Sequence, residues 1–296
     1  MSRTSYGAPV TEQELRDLQL AMLEYVDRVC RAKGIEYSLA GGSLLGAIRH
    51  GGYIPWDDDI DVELTRPHYE LLLAELQLAL PSHLSLLHHR VAPTYLPWAK
   101  LYDNRTVYRS TLDQLHPGTG VFIDLFPMDV MPDADDVESS SGPLAEHRRG
   151  FFARSSALSS SIPGGFAYAS ASTWPYFLGK SVLWFPKHLA NYGKGHQIAV
   201  DLDRYMRRFD DSGASLVGFF HRAFPRAIYP RTLWTRYEDV AFEHLTVRKV
   251  VDHDGYLTRH YGDYMTPPPE KNRTAAHSFY RWFWVSDQSA SGTADL

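Results

Sequence analysis

The chain has a single cysteine, Cys30, so no intrachain disulfide and no Cys-pair zinc site can form. Among the 14 histidines there is no HExxH pattern. The adjacent His88 and His89 and the scattered His244, His253 and His260 therefore read as surface or hydrogen-bonding residues. Flanked by Val26, Val29 and Ile35, Cys30 reads as a small core residue, not a catalytic thiol. Long apolar runs are also missing: nothing approaches the roughly 18 consecutive apolar residues of a membrane span. The opening MSRTSYGAPVTEQELRD has no apolar leader, which sets the expectation of a cytoplasmic protein. Nor is there an excess of one charge. With 30 basic and 35 acidic residues and a net charge of -5, the chain has no electrostatic reason to bind long nucleic acid. What is present is apolar material, 44% hydrophobic and 13% aromatic over 296 residues, enough for one sizeable core or two modest ones. No internal repeat divides it.

Thr11 and Glu14 have the form of a capping box, and Leu15, Leu18, Met22, Val26 and Val29 recur at helical spacing up to Gly34. The spacing predicts a helix over 12–33. A short strand at 35–39, a break at Gly41-Gly42-Ser43 and a short helix from Leu44 follow. A strand is predicted over 57–64 and a helix over 69–80, started by Pro67 and stopped by Pro81. Further strands are expected at 84–88, 98–103 and 120–126, and one or two within 240–251. Helices are expected at 196–210 and 255–261. The turn-forming composition of 127–145 reads as a linker. Beyond it, small residues mix with Phe166, Tyr168, Trp174, Tyr176, Phe177, Trp184, Phe185 and Tyr192, beside Lys180, Lys187 and Lys194. Core packing is the plainer reading of these aromatics; an acceptor groove or a contact with anionic lipid is the other.

The run WDDDIDVEL carries the chemistry. Ile60, Val62 and Leu64 alternate with Asp57, Asp59, Asp61 and Glu63, which predicts one apolar and one carboxylate face on a strand. Like charges about 7 Å apart on one strand face repel, and a hard cation such as Mg2+, shared with phosphate oxygens, is what neutralises them. A solvated acidic turn is the alternative. Gly42 and Ser43 supply a second element, since a glycine turn opening a helix offers amides and a hydroxyl to phosphate. In 120–126, Asp124 is a lone charge among Val121, Phe122, Ile123, Leu125 and Phe126 and needs a cationic partner.

The continuous segment GGSLLGAIRHGGYIPWDDDIDVE at 41–63 resembles the signature of the LicD family, which includes bacterial phosphocholine transferases and is related to fukutin and the fukutin-related protein. WAKLYDNRT, GVFIDLFPMD and YLTRHYGDYMTPPP resemble further family segments, while 139–195 has no counterpart. The resemblance implies an α+β nucleotidyltransferase fold of the polymerase-β type, a mixed sheet with flanking helices and a mostly helical additional region. The expected division is a catalytic core at 1–130, a linker and aromatic-rich insertion at 131–195, a C-terminal part of the LicD-like region at 196–275 and a tail at 276–296. Asp59 and Asp61 match the family's D-x-D pair, and Asp124 matches its third carboxylate, so the three are the expected metal ligands and catalytic residues. Gly42, Ser43, Arg49, His50, Asp57, Lys100 and Arg105 are the expected substrate contacts. Tyr261, Asp263 and Tyr264 receive no role.

The implied activity is a Mg2+-dependent transfer, with Mn2+ as substitute, of phosphocholine or a polyol phosphate from a CDP-linked alcohol to a hydroxyl of a glycan or glycolipid. Peripheral contact with a membrane is a further expectation. Nucleotidyl transfer from an NTP uses the same carboxylates and is the rival chemistry, and a binding protein on the same fold is the non-catalytic rival.

Overall fold

The computed structural model describes residues 6–110, 119–161, 174–220, 227–273 and 280–286. The chain opens with strand β1 (Tyr6–Pro9) and helix α1 (Glu12–Lys33). Thr11 Oγ1 accepts from the Glu14 amide while Glu14 accepts from the Thr11 amide, so the predicted capping box is formed, and Gly34 closes the helix at φ 64. Strand β2 (Ser38–Leu39) is followed at once by α2 (Gly41–His50), then by β3 (Asp61–Thr65) and α3 (Arg66–Leu78). Strands β4 (Leu84–Leu87), β5 (Ala99–Asp103), β6 (Thr106–Ser110) and β7 (Phe122–Met131) complete the first half. Helices α4 (Gly142–Ser161), α5 (Trp174–Asn191) and α6 (Gly195–Met206) come next. Strands β8 (Leu216–Gly218), β9 (Ile228–Pro230), β10 (Tyr237–Phe242) and β11 (Leu245–Val250), helix α7 (His253–Tyr261) and strand β12 (Tyr280–Val285) finish the chain.

The central sheet has the order β2-β3-β7-β5-β4, with β8 and β9 extending the far half of β7. It is mixed: β3 and β7 are parallel and the other pairings antiparallel. Helices α1 and α3 pack on β7, and α2 packs on β3 and α7. Val62, Leu64, Ile123 and Leu125 are fully buried and alternate with the polar residues of their strands. This is the expected mixed sheet with flanking helices.

Three predicted elements need correction: residues 41–43, expected as a break, are the first turn of α2. The strand expected over 57–64 begins only at Asp61. The linker expected over 127–145 is strand up to Met131 and helix from Gly142. Asp129, whose residue type suggests a turn, lies within β7, 1% exposed, because Arg66 neutralises it through paired bonds of 2.6 and 2.7 Å. Arg66 also reaches Asp203 of α6 at 3.1 Å, which ties the helical region to the sheet. Of the aromatic cluster, Phe166 and Tyr168, and the side chains of Trp174, Tyr176, Phe177 and Lys180, lie outside the described residues.

Removing one member of a buried pair strands the other charge. Asp129→Ala is therefore expected to lower the unfolding free energy by about 3–5 kcal/mol in urea titrations. A loss no larger than that of the exposed Glu12→Ala would contradict the assignment.

Candidate active site

The acidic run divides in two. Residues 57–60 are a loop entering β3, and Asp61 is the strand's first residue. The expected display of Asp57, Asp59 and Asp61 on one strand face is thus replaced by a tighter gathering. The Asp57 amide closes a turn on the Ile54 carbonyl at 2.8 Å, and carboxylate oxygens of Asp57, Asp58 and Asp59 lie within 4.8 Å of one another. Gln19, almost wholly buried on α1, holds the loop from below. It donates to the carbonyls of Asp58 at 2.9 Å and Phe122 at 3.3 Å, and accepts from the Tyr53 hydroxyl at 3.0 Å.

Within the sheet, Asp61 stands beside Asp124 in the parallel ladder, and Asp124 stands opposite Lys100 in the antiparallel one. Registered neighbours share a face, so the three side chains form a row across β3, β7 and β5. Asp124 accepts from Lys100 Nζ at 2.8 Å and from the indole N–H of Trp98 at 2.6 Å. The cationic partner that its burial demands is Lys100. Glu63, one step further along β3 on the same face, accepts from the Tyr256 hydroxyl at 2.9 Å, and that hydroxyl accepts the Gly41 amide at 3.0 Å.

The triplet Gly41-Gly42-Ser43 is the first turn of α2, not a break before it. Gly41 has a φ of 47, open to glycine at little cost. At Gly42 an added Cβ would fall 2.5 Å from Asp57 Oδ2, so the missing side chain is what lets the carboxylate lie against the helix start. The Ser43 hydroxyl accepts the Asp61 amide at 2.9 Å and so braces the start of β3.

These elements enclose a cavity of about 640 Å³. Gly42, Asp57, Asp59, Asp61, Lys100, Asp124 and Arg49 all line it, as do Glu63 and Trp98. Arg49 donates to the Tyr264 carbonyl at 2.7 Å, drawing the segment with Tyr261, Asp263 and Tyr264 over the cavity as part of its wall. Three expected contacts are not among the lining residues. Ser43 lies beneath the helix start, His50 accepts from Arg49 Nε at 3.0 Å, and Arg105 is held by Asp103 at 2.9 Å below the Trp284 ring. Burial and then the neighbouring Arg49 push the His50 pKa down.

Four residues absent from the sequence-based site belong to it: Gln19, Glu63, Trp98 and Tyr256. Glu63 carried a signal, since it continues the Asp59 and Asp61 alternation. Gln19 carried a weaker one, a polar residue between Leu18 and Leu20 in an amphipathic helix.

Electrostatically the cavity is overloaded with negative charge. Burial first, and then Asp59, push the Asp57 carboxyl well above the usual carboxylate range. Burial pushes Glu63 up to about 8, against a partial opposing effect of the Tyr256 hydrogen bond. The gathered carboxylate oxygens of Asp57, Asp58 and Asp59 fit a hard divalent cation such as Mg2+. The crowding at Asp57 is what such an ion would relieve.

A mixed sheet carrying paired carboxylates beside a glycine-opened helix defines a nucleotidyltransferase-type domain. Residues 34–167 match the family model described as LicD/FKTN/FKRP, nucleotidyltransferase domain. The lipopolysaccharide cholinephosphotransferase LicD of Haemophilus influenzae is 28% identical over 272 residues, 89% of this chain and 96% of the relative. The ribitol 5-phosphate transferases FKRP of Mus musculus and Homo sapiens are each 60% identical over 38 residues, 13% of this chain and 8% of those proteins. The chain is a LicD-like transferase, similar to the LicD model over residues 34–167 and to a LicD cholinephosphotransferase along most of its length.

Glu63 keeps its proton in the folded state up to about pH 8 but loses it near 4.5 when unfolded, so stability present at low pH falls as pH rises through that window. In metal-free urea titrations, Glu63→Gln is expected to show a shallower fall between about pH 5 and pH 8 than the wild type, and to be the more stable of the two at the upper end. Parallel pH profiles for the two proteins would show that Glu63 is not the group responsible.

Proposed function

We propose that the chain transfers a phospho-alcohol, phosphocholine or a polyol phosphate, from a CDP-linked donor to a hydroxyl of a glycan or glycolipid, with Mg2+ held at Asp59 and Asp61. The observation that carries this reading is the row Asp61-Asp124-Lys100 facing the first turn of α2 across one cavity. Cholinephosphate transfer and ribitol 5-phosphate transfer, the activities named for the two kinds of relative, both move a phosphorylated alcohol, which supports the class.

When bound, the ion supplies positive charge beside the diphosphate oxygens. The remaining work falls to side chains and amides of this chain. The Gly41 amide is taken by Tyr256, but those of Gly42 and Ser43 lack intrahelical acceptors and, with the positive end of the helix dipole, face the diphosphate. Lys100 and Arg49 contribute fixed positive charge at the cavity wall. Asp124 is locked in orientation by Trp98 and Lys100 yet retains lone pairs on both oxygens. It takes the proton of the attacking hydroxyl as the new phosphorus–oxygen bond forms and the anhydride bond to CMP breaks. Tyr261 and Tyr264 narrow the entrance and limit access of water.

The test is product analysis with CDP-choline, CDP-ribitol, CDP-glycerol and free NTPs, each with an acceptor glycan and with Mg2+ or EDTA. Release of CMP from one CDP-alcohol is expected, Mg2+-dependent and reduced at least about a hundredfold in Asp61→Asn. Pyrophosphate released from an NTP would instead establish nucleotidyl transfer. Absence of both would refute a catalytic role.

A further inference from the structure

Helix α5 carries an exposed apolar stripe. Val182, Phe185, Leu189 and Tyr192 are 70%, 50%, 63% and 58% exposed and recur at i, i+3, i+7 and i+10, which places them on one side of the helix. The opposite side is committed to α4. His188 Nδ1 meets the Ser160 carbonyl at 2.7 Å, Asn191 donates to Ser160 Oγ at 2.9 Å, and Lys187 donates to Ser156 Oγ. The stripe is thus left over after the helix has been packed, and four large apolar side chains in one row are more than the scattered exposed residues of an ordinary surface.

The charge of the segment that carries the stripe says what it faces. Between Glu146 and Asp201 the chain has no acidic residue, whereas Arg148, Arg149, Arg154, Lys180, Lys187 and Lys194 are basic. This block is therefore +6 in a chain whose net charge is -5, leaving the remainder at -11. Arg154 is paired with Asp201, and Lys194, between α5 and α6, is exposed with its ammonium on the Ala190 carbonyl at 2.8 Å. A basic, acid-free segment that carries an apolar stripe complements a surface that is both apolar and anionic.

We infer that α5 lies in the interface of an anionic lipid bilayer, with Val182, Phe185, Leu189 and Tyr192 inserted among the lipid chains and headgroups. Among the described residues no helix is long and apolar enough to cross a membrane, so the contact is one of lying on the surface. The surface is one helix layer from the cavity: α4, on which α5 packs, brings Phe151 to Phe219 at 5.8 Å, and Phe219 lines the cavity wall. The inference does not depend on the identity of the donor.

The test is co-sedimentation of the full chain with vesicles of phosphatidylcholine alone or mixed with phosphatidylglycerol. Pelleting with the phosphatidylglycerol vesicles is expected, weakened by high salt. The double variant Phe185→Glu/Leu189→Glu is expected to lower the partition at least about tenfold, whereas Leu78→Glu, an exposed leucine on α3, leaves it unchanged. Circular dichroism and melting temperature of the variants check that both fold. No pelleting by the wild type, or pelleting unaffected by the double variant, overturns the inference. A concentration-dependent dimer that the double variant abolishes would assign the stripe to a second copy and overturn it equally.

Discussion

The site rests on the parallel pairing of β3 with β7. It sets Asp61 beside Asp124, and the antiparallel pairing of β7 with β5 then adds Lys100 to the same row. Three ionisable side chains on adjacent strands are brought together by backbone hydrogen bonds, whose positions do not depend on the charges they carry. Around that row the other elements act as braces. Ser43 fixes the Asp61 amide, Gln19 fixes the loop carbonyl of Asp58, and Tyr256 joins Glu63 to the start of α2. Glu243, at the turn between β10 and β11, accepts the Tyr53 amide at 2.9 Å and holds the loop that follows α2.

This scaffold confines more negative charge than it neutralises. Asp57, Asp59, Asp61, Glu63 and Asp124 share a cavity with two cationic residues, Lys100 and Arg49, and Lys100 is already engaged by Asp124. The cost appears at Asp57, whose carboxyl is displaced upward by burial first and then by Asp59, while burial raises Glu63. Such an arrangement destabilises the fold by itself, and it is consistent with a site that gains its missing positive charge from a ligand.

Much of this was legible in the sequence where local chemistry governs the outcome. The capping box of α1, the apolar stripe behind it and the 41–63 motif depend on residues a few positions apart. What the sequence concealed depends on distant partners. Asp129 looked like a turn residue because its neutralising Arg66 is 63 positions away. Ile60 is buried as the alternation suggested, but from a loop, since a period-2 pattern reports which side chains are covered and not whether the backbone is in a ladder. Arg105 was expected to contact substrate, but its engagement with Asp103 depends on the tight turn after β5. The indole donor to Asp124 was hidden for another reason: only the fold shows the Trp98 N–H aimed at a carboxylate.

The measurement that tests the central claim most directly is the melting temperature of the wild type and of Asp59→Asn/Asp61→Asn in EDTA and in Mg2+. The account predicts that Mg2+ raises the wild-type melting temperature, that the double variant melts higher than the wild type in EDTA because repulsion is relieved, and that Mg2+ no longer shifts it. A wild type indifferent to Mg2+, or a double variant less stable than the wild type without metal, would contradict the claim that uncompensated carboxylate charge organises this site.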